Sequence, residues 1–171
     1  MYRKIKLFYA KVPNMGDLLN PIIFNDLFSV KTKRSPLYSS EVIAIGSGLN
    51  ALFKSNTKIG MVKQYLLKQL SDQFHVWGTG FLIKPEENSD FFRNDVTFHS
   101  VRGNLSKNYL DKIFKNKFDI KTGDAGLLIS NLFDKKIEKK YELGIIPHFR
   151  EQNEKENEIL ADAKKDFIFA K

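Results

Sequence analysis

The chain has 171 residues, enough for one full domain with a sizeable core or for one domain and part of another, and its 15 Phe and ordinary apolar share exclude a disordered chain. No apolar run approaches the roughly 20 residues of a membrane span, the polar start Met1-Tyr-Arg-Lys does not read as a signal peptide, and the absence of cysteine excludes disulfides and thiolate metal sites and fits a cytoplasmic location. The formal net charge of +8 is carried mostly by scattered Lys, with Arg only at Arg3, Arg34, Arg93, Arg102 and Arg150, so nucleic acid is not an expected partner and the charge reads as a solvated Lys-rich surface, the alternative being a diffuse basic surface that favours anionic substrates or an anionic membrane face.

Ile5 to Tyr9 predicts a first strand, ended by Pro13 and Gly16. Asn14 or Asp17 is placed to cap the helix that follows, from about Leu18 to Phe28, with Leu18, Ile22 and Asn25 on its apolar face and Leu19, Ile23 and Leu27 beside them. Lys31 to Ser40 reads as a polar loop. Val42 to Ile45 then predicts a strand stopping at Gly46-Ser47-Gly48, and Phe74 to Trp77 repeats the pattern before Gly78-Thr79-Gly80. Between them, Met61 to Leu70 predicts an amphipathic helix with Val62, Leu66, Leu67 and Leu70 at helical spacing. Such strand ends mark buried parallel strands, and the two turns are expected side by side at the edge of the sheet where α/β folds bind ligands, with N–H groups exposed to an anion. Neither turn is GxGxxG or a P-loop, so neither specifies a nucleotide.

Lys84 to Asp95 reads as an irregular loop, and Val96 to Val101 as the next strand. Arg102 at its carboxyl end, just ahead of a helix marked by Leu105, Tyr109 and Ile113, is placed to meet an anion. Phe118 to Phe133 supplies a short strand, a Gly123-Asp124 turn and a short apolar helix. This alternation predicts an α/β fold over residues 1–133, a Rossmann-like parallel sheet with flanking helices. A charged linker, 134–140, precedes residues 141–171, which read either as the incomplete start of a second Rossmann-like domain or as strands added to the first sheet. Phe167, Ile168 and Phe169 would leave an apolar edge suited to homodimer contact.

Three histidines are present. His75, early in its strand, and His99, on a strand face with Thr97 and Val101, read as structural, whereas His148 ends a strand and faces the expected cleft. Asp17 reads as a helix cap or as a partner for a sugar hydroxyl, Trp77 as a packing residue or a stacking platform, and Asp124 as a turn cap. No cluster of His and carboxylates has metal spacing, so no metal is expected.

In order, Asn14-Met-Gly-Asp, Gly46-Ser-Gly, Trp77-Gly-Thr-Gly-Phe, Ser100-Val-Arg-Gly, Thr122-Gly-Asp and Gly144-Ile-Ile-Pro-His-Phe, each at the end of a predicted strand, resemble the polysaccharide pyruvyl transferase family. The resemblance runs from Ile5 to about Phe149. It implies the amino-terminal domain of a two-domain enzyme built like a B-type glycosyltransferase. It also implies transfer of the enolpyruvyl unit of phosphoenolpyruvate to a sugar hydroxyl, giving a pyruvate ketal on a surface polysaccharide. Phosphoenolpyruvate is then the donor substrate with no further cofactor, and a sugar or lipid-linked glycan is the acceptor, met in the cytoplasm or at the inner face of the membrane. Asn14, Gly16, Asp17, Gly46, Ser47, Gly48, Gly78, Thr79 and Gly80 would line one wall of the cleft, and Arg102 would hold the donor's phosphate or carboxylate.

The sequence also departs from the family. Members are longer and carry in their second domain a Ser-Leu-His-Gly-like segment with the expected acid, and no Leu-His-Gly occurs here. Gly123-Asp124-Ala125 stands where Gly-Asp-Pro is usual. The expected reading is therefore a truncated pyruvyl transferase. The alternatives are a glycosyltransferase using a nucleotide sugar and a non-catalytic, partner-binding domain.

Overall fold

Alternation in Ile5-Lys-Leu-Phe forms β1 (Ile5–Phe8), which sends Leu7 into the core on one sheet face and Phe8 toward the core on the other. The computed structural model describes residues 3–12, 14–68, 73–86, 89–93 and 95–133. The chain divides into two units, Met1–Phe133 and Asp134–Lys171, and the described residues belong to the first. The expectations for Pro13, Leu70, the linker 134–140, the unit 141–171, His148 and Phe167 to Phe169 lie outside the described residues.

β1 is joined by β2 (Thr32–Arg34), β3 (Val42–Ile43), β4 (Phe74–Trp77), β5 (Val96–Val101) and β6 (Lys121–Thr122). All pairings are parallel, and the six strands lie in the order β2-β1-β3-β4-β5-β6. Helices α1 (Met15–Ile22), α2 (Lys58–Lys68) and α3 (Asn104–Phe114) make the crossovers from β1, β3 and β5. This is the Rossmann-like α/β sheet that the alternation predicts. The reading of Lys31 to Ser40 as loop is corrected, because β2 lies within it and Leu37–Ser39 form a 3₁₀ turn. Thr32-Lys-Arg has no apolar alternation to detect. As an edge strand it needs only the β1 backbone, and its charged side chains suit a sheet edge.

Two apolar layers cover the faces. One holds Leu7, Ala44 and Ile45 against Ile23, Phe24 and Ala125, and the other packs Ile43, Phe74, Val76 and Val101 against Leu49, Leu52, Phe81, Phe91, Phe92 and Leu110. Beyond α1 the chain continues as a π-helical turn, Ile23–Leu27, and of the predicted apolar face Leu19, Ile23 and Leu27 pack into the core together with Phe24, while Leu18 and Asn25 are exposed. In α3 Ser106 and Leu110 are buried and Tyr109 and Ile113 pack against the core as the helical spacing predicts, whereas Leu105 is exposed.

β5 carries a bulge. Val76 pairs with Phe98 but Trp77 pairs with Ser100, so His99 is an extra residue. The alternation is thereby reset, and Val101 enters the layer of Phe98 instead of sharing a face with His99. His99 is exposed, and its Nε2 lies 3.0 Å from Nδ1 of His75 on the neighbouring strand.

α2 departs furthest from expectation. Val62 and Leu66 are exposed, because the sheet face they would cover is taken by Leu49 and Leu52 of the 3₁₀ helix Gly48–Leu52 and by Phe91 and Phe92 from the long loop. Buried Arg93 pins that loop. Its guanidinium pairs with Asp95, donates to the carbonyls of Leu37 and Ser40, and lies 4.5 Å from the centre of the Phe74 ring.

Candidate functional site at the carboxyl edge of the sheet

Strand order reverses between β1 and β3, so the loops leaving these strands run to opposite sides and open a crevice. On the β1 side, Asn14 Oδ1 accepts from the Gly16 N–H at 2.9 Å and caps α1. Of the two capping candidates Asn14 serves, which leaves Asp17 in the first turn to accept from the Ala10 N–H. The Asp17 carboxylate stands 3.7 Å from the point where a Cβ on Gly46 would lie. Burial pushes its pKa up from the ordinary carboxylate value, against the opposing Ala10 hydrogen bond. Gly46 itself has φ +108°, where an L side chain is strained, so the turn requires glycine.

Asn20 fixes this turn from below. Pro21 inside α1 has no N–H to give the carbonyl of Asp17, one helical turn back. The fully buried Asn20 Nδ2 donates to that carbonyl at 3.1 Å instead. The same side chain donates to Ile45 O at 3.2 Å and accepts from Ile45 N–H at 2.9 Å. It thus takes the place of a neighbouring strand for the last residue before Gly46.

The turns after β3 and β4 interlock. Gly46 O accepts from the Gly80 N–H at 3.0 Å and from the Thr79 hydroxyl at 3.1 Å, and that hydroxyl accepts from the Gly48 N–H at 3.0 Å. Their side-by-side placement agrees with the sequence reading, but the expectation of free N–H groups is corrected for three of them. Gly48 and Gly80 donate within the turns, and Gly78 donates to Ser100 O at 3.0 Å. Gly78, Thr79 and Gly80 are buried. They form the frame beneath the crevice, and its surface is left to Asn14, Gly16, Asp17, Gly46, Ser47 and Gly48.

Arg102 extends this rim across β5. Its N–H donates to Thr79 O at 3.0 Å, and its exposed guanidinium donates to Ser47 Oγ at 2.8 Å and Phe81 O at 3.5 Å. A Cβ on Gly80 would stand 3.1 Å from the Arg102 Cβ and 2.8 Å from Ser106 Oγ, so glycine permits this close approach. Beyond Arg102, α3 starts at Gly103 without a side-chain cap. Its first turn, Arg102, Tyr109 and the Phe81 to Lys84 segment border an open cleft of about 450 Å³. Arg102, Lys84 and the positive end of α3 give this cleft a cationic wall. An anion bound there would lie along the same edge as the Asp17 carboxylate.

No protein-family model and no solved structure matches the chain. Uncharacterized protein L143 of Acanthamoeba polyphaga mimivirus is 36% identical over 76 residues, which are 43% of this chain and 25% of the viral protein. The match therefore spans about a quarter of that relative's length.

Other sequence candidates have structural places. Trp77 packs edge-on to Phe24 and Phe28, with ring centres 5.7 and 5.8 Å away, which makes it a packing residue. Asp124 accepts from Gly126 N–H at 2.8 Å and caps the 3₁₀ helix Ala125–Leu132. Sequence reasoning missed Asn20. The detectable signal was a polar residue in line with Ile23, Phe24 and Leu27, directly before an intrahelical proline. Among the described residues, no group of three or more His, Asp and Glu could hold a metal, and no helix is long and apolar enough to cross a membrane.

Proposed function

We propose that this unit is the donor-binding half of a polysaccharide pyruvyl transferase site. The reading rests on the ordered strand-end motifs, and one observation carries it: Arg102 is anchored on Ser47 at the rim of two interlocked glycine turns, beside the uncapped start of α3. A planar guanidinium and helix N–H groups suit the phosphate and carboxylate of phosphoenolpyruvate. Asp17, across Gly46, is placed to orient a hydroxyl of the acceptor glycan. In the reaction two sugar hydroxyls add to the donor's C2, the methylene gains a proton, and phosphate leaves. His75 and His99 pair with each other on the sheet face, so the unit supplies binding and orientation while the methylene proton comes from another group.

Product analysis tests the proposal. The full chain, incubated with phosphoenolpyruvate and surface-glycan oligosaccharides, is expected to bind the donor saturably, and to release phosphate and form an acid-labile pyruvate ketal only where a group outside this unit supplies the methylene proton. A glycosylated product from nucleotide sugars would favour the glycosyltransferase reading. Turnover with neither donor, together with failure to bind phosphoenolpyruvate, would leave a non-catalytic binding domain.

A further inference from the structure

Single exposed apolar residues are ordinary on protein surfaces, but α2 gathers five on one short helix. Ile59 is 84% exposed, Tyr65 66%, Val62 60%, Leu66 59% and Met61 47%. Ile59, Val62 and Leu66 follow the i, i+3, i+7 spacing of one helix face. The helix rests on the protein through its other side, where Gln64 accepts from Ser55 N–H at 2.8 Å and donates to Phe53 O at 3.1 Å, and Gly60 lies against Ser55. Its sequence, Lys-Ile-Gly-Met-Val-Lys-Gln-Tyr-Leu-Leu-Lys, contains three Lys and no acidic residue. Tyr38 of the neighbouring 3₁₀ turn extends the same apolar surface.

We propose that α2 is a membrane-contact helix that lies flat on an anionic lipid surface. Ile59, Val62, Leu66 and Tyr65 enter the boundary between headgroups and acyl chains, and Lys58 and Lys63 reach the lipid phosphates. Charge selects this occupant. A second copy docked through the same ridge would gather Lys58 and Lys63 of both copies into one interface with no acidic residue from either α2, on a chain of net charge +8. An anionic surface converts that repulsion into attraction. Tyr38 and Tyr65 supply rings suited to the interface. The proposal stands apart from the donor-binding reading and survives its failure.

Vesicle co-sedimentation of the full chain tests it, with phosphatidylglycerol–phosphatidylcholine vesicles against pure phosphatidylcholine. The chain is expected to pellet with the anionic vesicles and to be released by salt. Any basic protein does this to some degree, so the deciding variant keeps every charge. Val62→Ser with Leu66→Ser is expected to weaken partitioning at least about tenfold while circular dichroism stays unchanged. Lys58→Glu with Lys63→Glu is expected to weaken it comparably. No sedimentation with anionic vesicles, or an undiminished affinity in the Val62→Ser, Leu66→Ser variant, would overturn the proposal. A dimer that this variant dissociates, or an acidic protein bound in place of lipid, would also overturn it.

Discussion

Asn20 holds the segment after β3 through two hydrogen bonds to Ile45 and replaces a missing helix donor with a third, to Asp17 O. Asn20→Ala would leave the N–H and C=O of the buried Ile45 without these partners and deprive Asp17 O of its substitute donor. A loss of about 2–3 kcal/mol in urea unfolding is expected, and a change within ~0.5 kcal/mol would show that the side chain is not the clamp described. Asp17 shows the opposite balance. Its folded pKa is raised by burial, so above the ordinary carboxylate pKa the unfolded chain ionises this group more readily and the folded state loses stability as pH rises. Asp17→Asn removes that cost while keeping an acceptor for the Ala10 N–H. A higher melting temperature at neutral pH, with weaker glycan binding, is the expected outcome, whereas a lower one would mean the carboxylate supports the fold. A functional group that costs stability is what a binding crevice leads one to expect.

At the scale of elements, the parallel strands were legible because buried strands advertise themselves: Phe74 to Trp77 was located to the residue and Val96 to Val101 likewise. β2 was illegible because an edge strand needs no apolar side chain. On the first helix the Leu19, Ile23 and Leu27 stripe is legible and packs into the core, but the buried polar Asn20 breaks the apolar pattern and hides how far the buried face extends away from Leu18. The β5 bulge leaves no periodic trace, so Val101 was assigned to the wrong face and the neighbouring His75 and His99 were not foreseen as partners. That pair has a measurable consequence. Burial first, and then repulsion from His99, lower the His75 pKa, against an attraction to Glu41, which is itself bonded to Arg3 and the Lys6 N–H. A histidine whose folded pKa lies below its unfolded value of about 6.5 leaves stability intact above that pH and costs stability as pH falls through it. Melting temperature is therefore expected to drop as pH falls through about 6.5 and below, and His99→Gln, which removes the repulsion from His99, should flatten that drop. An identical pH profile in the variant would rule out the coupling.

For the molecule as a whole, the sequence located the edge that matters: the glycine turns sit side by side and Arg102 stands beside them. What it could not reveal was the division of labour between them. Thr79 and the glycines around it satisfy one another as framework, whereas Asp17, Ser47 and Arg102 keep groups at the surface of the crevice. That division follows from hydrogen bonds between residues about thirty apart in the chain, which no local pattern encodes. The role proposed for this edge requires that Arg102 hold an anionic donor there. Calorimetric titration of the full chain with phosphoenolpyruvate, wild type against Arg102→Ala, tests it most directly. Saturable binding that weakens at least about tenfold in the variant, with the melting temperature preserved, is the predicted result. Absence of saturable binding at millimolar donor, or equal affinity in the two proteins, would contradict it.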